Sequence, residues 1–189
     1  LKASTAERAR RTRQIGMLFQ GAALFDSLKV WENVAFRLIY GERKIQGANA
    51  RKKALDCLAK VGLTEAVGDL APSELSGGMQ KGVALARAIA ADPSVLFFDE
   101  PTTGLDPITA DVINNLIVER VKDAGATAIS ITHDMTSARK IGDEVAMLHE
   151  GRIIWRGRAS DIDNAGNPFV DQFVNGRADG PIQMALKAP

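Results

Sequence analysis

The sequence lacks several features that would assign it to a class at once. It has one cysteine, Cys57, in 189 residues, so no disulfide can form within the chain. This composition favours a reducing compartment. No apolar run approaches the roughly 18 residues that a membrane-spanning helix requires, and no signal peptide is recognisable in the sequence.

The chain also lacks an excess of either charge. Lys and Arg number 24 and Asp and Glu number 23, which leaves a net charge of +1. Because polyanions are bound mainly through clustered cations, this balance gives no reason to expect a nucleic-acid partner. The basic run Arg8, Arg10, Arg11 and Arg13 is interpreted as the solvated face of a helix.

A third absence concerns phosphate binding. The run Gly-x-x-x-x-Gly-Lys-Ser/Thr, whose backbone amides cradle phosphate groups, does not occur in the sequence. The chain begins at Leu1 rather than at a methionine, and its first 19 residues contain no recognisable domain start. We therefore expect it to be a segment of a longer protein.

What the sequence does contain is an alternation of strands and helices. Apolar runs at 14–19, 94–98 and 126–132 predict buried strands, and Glu144–Leu148 with Arg152–Trp155 predicts a hairpin. The alternation predicts an α/β fold with a mainly parallel sheet. Helices are predicted at 30–40, 48–61, 76–90, 107–122 and 135–141, with one or two short helices after residue 159.

Each of the three predicted parallel strands ends in polar side chains. Gln20 follows the first strand, Asp99 and Glu100 end the second, and His133 follows the third. In an open parallel sheet the carboxyl ends of the strands lie along one edge, where ligands bind. The four side chains are therefore predicted to converge.

Such an edge suits the transfer of a phosphoryl group to water. That reaction requires a metal ion, a group that orients the water, and donors for the charge that develops on the phosphate. Asp99 and Gln20 are predicted to contact Mg²⁺, and Gln20 also the attacking water. Glu100 is predicted to act as the general base, and His133 as a donor to the terminal phosphate.

Five short motifs occur in one order along the chain. They are Phe19-Gln20, Leu75–Gln80, Leu96–Pro101, Gly104–Asp106 and Thr132–Asp134. In that order they resemble the Q-loop, the signature motif, the Walker B motif with its catalytic glutamate, the D-loop and the switch histidine of ATP-binding-cassette (ABC) ATPases. Each motif alone is weak, but five in order are specific, and the resemblance covers nearly the whole chain.

The signature motif has a physical logic of its own. Ser76 is a favoured helix cap, and its hydroxyl with the amides of Gly77 and Gly78 offers an anion site. The resemblance implies that this site contacts the ATP held by a second ATPase subunit, so that a homodimer encloses two nucleotides. It assigns Asp106 of the D-loop to nucleotide binding as well.

Each residue also has an ordinary structural interpretation. Ser76 could cap a helix and do nothing else, and Asp99 with Glu100 could be a solvated strand end. His133 could be a structural histidine, and a glutamine such as Gln20 is unremarkable after a strand. The other motifs favour the functional interpretation of Ser76, the preceding apolar run that of the carboxylate pair, and the strand-end position opposite that pair that of His133, whereas Gln20 is the weakest single assignment.

The resemblance implies a P-loop NTPase-like α/β fold, in which helices flank a mainly parallel sheet that carries an inserted helical subdomain. We expect 1–29 and 92–158 to form part of the catalytic core, 30–91 the helical subdomain, and 159–189 a C-terminal tail. The N-terminal strands and the phosphate-binding loop are expected upstream, so the chain would be a partial ABC ATPase domain. On that expectation it neither binds ATP well nor hydrolyses it alone.

A further expectation concerns folding. The missing strand is expected beside the strand at 94–98, so its loss would leave backbone groups unpaired and apolar surface exposed. Self-association or local disorder near residues 94–99 is therefore expected.

A subgroup is also indicated. The segment 16–28, Met79 within the signature, the run 104–109 and the tail from Gln172 to Pro181 are similar to lipid-transport ATPases of the Mla/MCE type. This similarity implies an ATPase on the cytoplasmic face of the inner membrane. Its partners would be membrane permease subunits and an MCE-domain lipid-binding protein, and its cargo phospholipid or a related lipid.

Two segments are expected to contact those partners, and other classes stay open. The helical insert 30–75 would dock the permease, and the tail after Gly176 would pack on a partner subunit.

A DNA-repair ABC protein would need a long coiled coil between Gln20 and Ser76, where the gap is too short. An ABC ATPase for another substrate, a two-cassette translation factor, and a regulatory module or inert fragment are not excluded.

Overall fold

A three-stranded parallel sheet organises the first of two units, which ends at His133. The computed structural model describes residues 4–41 and 44–183. The strands are β1 (Ile15–Leu18), β2 (Val95–Asp99) and β3 (Thr127–Ile131), and they lie in the order β1-β2-β3. Both pairings are parallel, so all three strands point their carboxyl ends toward the same edge.

Helices fill the connections between these strands, as predicted. Two 3₁₀ turns, Glu65–Asp69 and Pro72–Glu74, precede the fourth helix. Asp106 caps the fifth helix at one end, and Gly125 ends it in the left-handed conformation with φ 56°. The helices are α1 (Thr5–Arg13), α2 (Val30–Tyr40), α3 (Gly47–Lys60), α4 (Gly77–Ile89) and α5 (Pro107–Ala124).

Helix α4 is the packing centre of this unit. It contacts β1, α2, α3 and α5, and its residues Val83 and Leu85 are fully buried. Gly16 of β1 permits the close approach, because a Cβ there would lie 2.3 Å from the carbonyl oxygen of Ala88. The apolar face of α4 therefore fixes the position of β1, and with it the segment that follows β1.

The structure corrects the expectation for residues 94–99. Strand β2 is central, because it pairs with β1 on one side and with β3 on the other. The expectation of an unpaired or disordered segment there is wrong, and the proposed cause of self-association at that strand disappears. Among the described residues β3 pairs with β2 alone, and its Ile129 and Ile131 are 50% and 63% exposed.

The second unit begins at Asp134 and contains the predicted hairpin. Its two strands pair in antiparallel fashion, and Glu150 and Gly151 join them with φ values of 46° and 76°. Positive φ at both positions is typical of a two-residue hairpin turn. The elements are α6 (Met135–Ile141), β4 (Glu144–His149), β5 (Arg152–Arg158), a 3₁₀ turn at Ala159–Asn164 and α7 (Pro168–Val174).

One side chain of α7 holds the start of the C-terminal tail. Buried Gln172 donates to the carbonyl oxygens of Arg177, Ala178 and Ile182, and its Oε1 accepts a 2.7 Å hydrogen bond from the Ile182 amide. The packing of this tail on a partner subunit stays a prediction, as do the subdomain boundaries, and residues 184–189 lie outside the described residues. Across the two described ranges, no helix is long and apolar enough to cross a membrane.

Asn33 is a fully buried polar residue that ties the segment after β1 to α2. Its Oδ1 accepts a 2.7 Å hydrogen bond from the Phe25 amide. Its Nδ2 lies 3.1 Å from each of the carbonyl oxygens of Phe25, Leu28 and Lys29. One amide group thus satisfies backbone groups that would otherwise be buried without partners.

Replacing Asn33 with alanine is expected to destabilise the chain, because it strands these backbone groups. The expected loss is about 2–4 kcal/mol in the free energy of unfolding, measured by urea denaturation. Asn49→Ala in α3 is the matched control, since Asn49 is exposed and its loss should be nearly neutral. Equal effects of the two substitutions would contradict this account of Asn33.

Candidate functional site

Four of the predicted site residues stand at the carboxyl ends of the three strands. Gln20 lies two residues beyond β1, Asp99 ends β2 with Glu100 directly after it, and His133 lies two residues beyond β3. The register pairs Leu18 with Phe98 and Asp99 with Ile131, so these ends are neighbours in space. The strand ends therefore converge on one edge of a parallel sheet, as predicted, whereas the functional roles of these four residues stay predictions.

Glu100 has an unusual backbone at this edge. Its φ is 47°, a left-handed conformation that costs a non-glycine residue about 1–3 kcal/mol. Tertiary contacts hold it there: its amide donates to the carbonyl oxygen of Ile131 at 2.9 Å, and its carbonyl oxygen accepts a 3.1 Å bond from Lys81 Nζ. The chain therefore turns sharply as β2 ends, and both backbone groups of Glu100 are satisfied.

The side chain of Glu100 contacts the predicted switch histidine. His133 Nδ1 lies 2.8 Å from Glu100 Oε1, and the Thr103 hydroxyl donates to Oε2 at 2.8 Å. An ionised carboxylate can only accept, so Nδ1 carries the proton in this pair. The Glu100 side chain is 16% exposed, whereas that of His133 is 68% exposed. A ligand at this edge would therefore meet the imidazole first.

The pKa of Glu100 lies below its ordinary value. Burial alone raises this pKa, but the hydrogen bonds from His133 and Thr103 favour the charged form and outweigh burial. Glu100 is consequently a carboxylate at neutral pH. A carboxylate with two fixed donors keeps lone pairs with which it can accept a proton from water.

The remaining pair at this edge offers oxygen donors suited to Mg²⁺. Asp99 supplies a carboxylate and Gln20 a side-chain amide, and Mg²⁺ uses one or two protein ligands together with waters and phosphate oxygens. In 4–41 and 44–183, no three His, Cys, Asp or Glu side chains gather as a metal site. This donor set fits a sparsely ligated Mg²⁺ better than a metal ion enclosed by protein ligands.

The signature residues form a second group, at the N-termini of α4 and α5. Ser76 caps α4, with its Oγ accepting a 3.3 Å hydrogen bond from the Met79 amide. A Cβ at Gly78 would lie 2.6 Å from Thr109 Cγ2, so glycine permits the first turns of the two helices to pack. Ser76 and Gly77 are exposed, and their backbone is available to an external anion.

Asp106 makes the contacts of a helix cap. Its Oδ1 accepts hydrogen bonds from the amides of Ile108 and Thr109, each at 3.0 Å, and its Oδ2 accepts one from the Thr109 hydroxyl at 2.5 Å. The hydrogen bonds from Thr109 lower the pKa of this carboxyl. A contact between Asp106 and nucleotide stays a prediction, and its visible function is to begin α5.

Two cations that contact the backbone beside the site were missed from the sequence. Lys81 and Arg87 lie within the apolar pattern of α4, yet both donate to backbone carbonyls of the segment after β1. Helical periodicity gave no signal for them, because a cation on a helix is usually solvated. The only signal available in the sequence was the position of these cations within an apolar helical pattern.

A parallel sheet with carboxylates and a histidine at its strand ends is the arrangement that the five motifs predict. A family model described as "ABC transporter" matches residues 2–103. The chain therefore belongs to the ABC transporter family, and the resemblance predicted from the five motifs is confirmed.

Two similar proteins have names that concern lipids. Protein TRIGALACTOSYLDIACYLGLYCEROL 3, chloroplastic, of Arabidopsis thaliana is 41% identical, over 90% of this chain and 53% of that protein. The intermembrane phospholipid transport system ATP-binding protein MlaF of Escherichia coli K12 is 39% identical, over 93% of this chain and 65% of MlaF. The chain thus spans about half to two thirds of the length of these relatives.

A solved structure supports the fold. The dimeric ATP-binding cassette MJ0796, in a post-hydrolysis state bound to ADP and Pi, superimposes with a TM-score of 0.73 at 34% identity. The match covers 84% of this chain and 68% of that one. The predicted P-loop NTPase-like α/β fold is confirmed.

Removing the histidine should raise the pKa of Glu100. In His133→Ala the carboxylate loses one of its donors, while burial still favours the neutral form. Carbon-13 NMR of the Glu100 carboxyl across acidic pH is expected to show a titration at higher pH than in the parent chain. His149→Ala, in the second unit, is the control and should leave that titration in place.

The sign of the linkage follows from the depressed pKa. The pair stabilises the fold above the unfolded-state pKa of a glutamate, and this contribution is lost as pH falls through the lower folded-state pKa. His133→Ala should therefore reduce stability at neutral pH more than at strongly acidic pH. An unchanged Glu100 titration in this variant would show that the two side chains do not interact in solution.

Proposed function

We propose that this chain is the hydrolytic portion of an ATP-binding subunit that drives a transporter of phospholipid or a related lipid. The observation that carries the hydrolytic part is the Glu100–His133 pair at the carboxyl ends of a parallel sheet. Membership of the ABC transporter family supports the same conclusion. The lipid part is supported by the similarity to MlaF, whose name assigns it to intermembrane phospholipid transport.

In the proposed reaction each strand end has a separate task. The Glu100 carboxylate accepts a proton from the attacking water, and the fixed contacts to Thr103 and His133 hold it in one orientation. In its imidazolium form the exposed His133 ring donates through Nδ1 to Glu100 and through Nε2 to the terminal phosphate. Gln20 orients the same water from the neighbouring strand.

ATP with Mg²⁺ is the proposed nucleotide, and Asp99 and Gln20 would hold the ion. When bound, the ion offsets the negative charge of the phosphates. These residues fit that task because Mg²⁺ accepts few protein ligands. Phosphate-binding groups beyond this sequence are needed as well, so the chain alone is expected to bind Mg-ATP weakly and to hydrolyse none.

A second copy of the subunit is the proposed partner at the signature motif. Ser76 and Gly77 are exposed at a helix N-terminus, which favours a negatively charged group. The similar cassette MJ0796 is described as dimeric. In the proposed homodimer these residues contact the nucleotide of the partner subunit.

Permease subunits and an MCE-domain lipid-binding protein are the other proposed partners, with the subunit on the cytoplasmic face of the inner membrane. A cluster of aromatic rings, formed by Phe25 with Phe36 and Tyr40 of α2, supports the docking of a permease there. The rings of Phe25 and Phe36 lie 4.5 Å apart, and those of Phe36 and Tyr40 lie 5.0 Å apart. Phe25 and Tyr40 are 43% and 62% exposed, which offers an apolar surface to a partner helix.

Glu100→Gln in the complete protein that contains this chain is expected to abolish steady-state ATP hydrolysis. Loss of the general base should lower kcat on the order of 10²–10⁴-fold, because glutamine cannot accept the proton of the water. Nucleotide binding, measured by calorimetry, should persist, since the substitution preserves shape. Glu65→Gln is the control at an exposed glutamate, and hydrolysis at the parental rate in Glu100→Gln would refute the assignment.

The lipid assignment calls for a transfer assay. The complete subunit with its permease, reconstituted in liposomes with a labelled phospholipid, is expected to move label to acceptor vesicles only when ATP is present. The Glu100→Gln complex provides the matched control, because it should assemble and yet transfer nothing. ATP hydrolysis that is unaffected by phospholipid, with no transfer, would favour an ABC ATPase for another substrate.

A further inference from the structure

Helix α4 carries a buried ammonium that joins two strand ends. Lys81 is 5% exposed and lies in the second turn of the helix that Ser76 begins. Its Nζ donates to the carbonyl oxygen of Gln20 and, at 3.1 Å, to that of Glu100. One side chain therefore contacts the backbone at the ends of β1 and β2 at the same time.

A second cation on α4 holds the rest of the same loop. Arg87 donates through Nη1 to the carbonyl oxygen of Ala23 and through Nη2 to that of Ala22, each at 2.6 Å. Ala22 and Ala23 have φ values of 60° and 47°, which non-glycine residues adopt only when their surroundings enforce it. Lys81 and Arg87 therefore fix the carbonyl groups of Gln20, Ala22 and Ala23 to α4.

Burial of the Lys81 ammonium costs desolvation free energy, which the contacts of this side chain must offset. Burial lowers its pKa, whereas the nearby negative charges of Asp99 and Glu100 raise it again. An apolar side chain would fill the same space without desolvating an ammonium. Unlike an apolar side chain, the ammonium can donate charge-assisted hydrogen bonds to the carbonyl oxygens of Gln20 and Glu100, and such bonds are stronger than neutral ones.

We propose that Lys81 is a positioning residue for ATP hydrolysis, which fixes the backbone of Gln20 and Glu100 to the helix that begins with the signature serine. The proposal rests on the proposed function of Glu100. Together with the hydrogen bond from the Glu100 amide to Ile131, the Lys81 contact holds the left-handed turn at Glu100, the residue whose carboxylate would act on water. It also makes α4 the connection between the signature turn and the hydrolytic edge within one chain.

The contact is tested in the 189-residue chain by carbon-13 NMR of backbone carbonyls, which report hydrogen bonding directly. Lys81→Met is expected to shift the Gln20 and Glu100 carbonyl resonances and to leave those of Ala22 and Ala23 near their parental positions. Arg87→Met should show the reverse pattern, and Lys60→Met, on the exposed face of α3, should shift none of the four. Unshifted Gln20 and Glu100 carbonyls in a folded Lys81→Met chain would overturn the proposal.

The role in hydrolysis is tested in the complete protein. Lys81→Met is expected to lower kcat on the order of 10- to 100-fold, as small displacements of a catalytic group do, with the KM for ATP within about twofold. Lys81→Arg should restore most of kcat, because a guanidinium can donate to both carbonyls. Equal losses in Met and Arg variants, or a loss confined to KM, would refute the positioning role.

The two proposals fail in different ways. A complete parent protein without ATPase activity overturns the proposed function, and with it the hydrolytic role of Lys81. An active parent with an equally active Lys81→Met variant overturns the role of Lys81 alone. Thermal unfolding of each variant separates a fold that is lost from a strand end that has moved.

Discussion

The parallel pairing of β1, β2 and β3 is the constraint on which the rest of the structure depends. It brings three chain segments that are far apart in sequence to one edge, each arriving in the same direction. Gln20, the pair Asp99 and Glu100, and His133 therefore follow one another along that edge. A shift of one residue in the register of β2 would turn its buried Leu96 and Phe98 outward, so the core also fixes the site.

Backbone groups at the strand ends are satisfied by side chains rather than by further sheet. The Glu100 carbonyl oxygen accepts a hydrogen bond from Lys81, and the Glu100 amide donates to Ile131 of β3. Arg87 donates to the carbonyl oxygens of Ala22 and Ala23 in the loop after β1. Such contacts permit left-handed residues where the chain must turn sharply. The cost of that geometry is thereby distributed over α4, whose apolar face is buried against β1 and the neighbouring helices.

The strand-end residues could be predicted because Asp99, Glu100 and His133 follow short apolar runs, and parallel strands end on one edge. The capping function of Ser76 could also be predicted, because helix caps depend on local sequence. The order of the strands in the sheet could not be predicted, because it depends on long-range packing. That explains the wrong expectation that β2 would be left unpaired: β2 is the central strand, and within the described part of the chain the edge strands are β1 and β3.

Polar residues with tertiary partners escaped prediction for another physical reason. Asn33 and Lys81 lie in regular helices, where a polar side chain normally faces water and periodicity says nothing of its partner. Both side chains donate to backbone carbonyls of the loop between β1 and α2, whose path is set by packing.

The central claim, that parallel strands bring Glu100 and His133 into contact, is tested most directly by dipolar recoupling in solid-state NMR between ¹³C-labelled glutamate carboxyls and ¹⁵N-labelled histidine rings. The chain has two histidines, so the assignment is simple. The account predicts strong coupling to His133 Nδ1 that vanishes in Glu100→Gln. Coupling that is absent in the parent chain, or that survives the substitution, would contradict it.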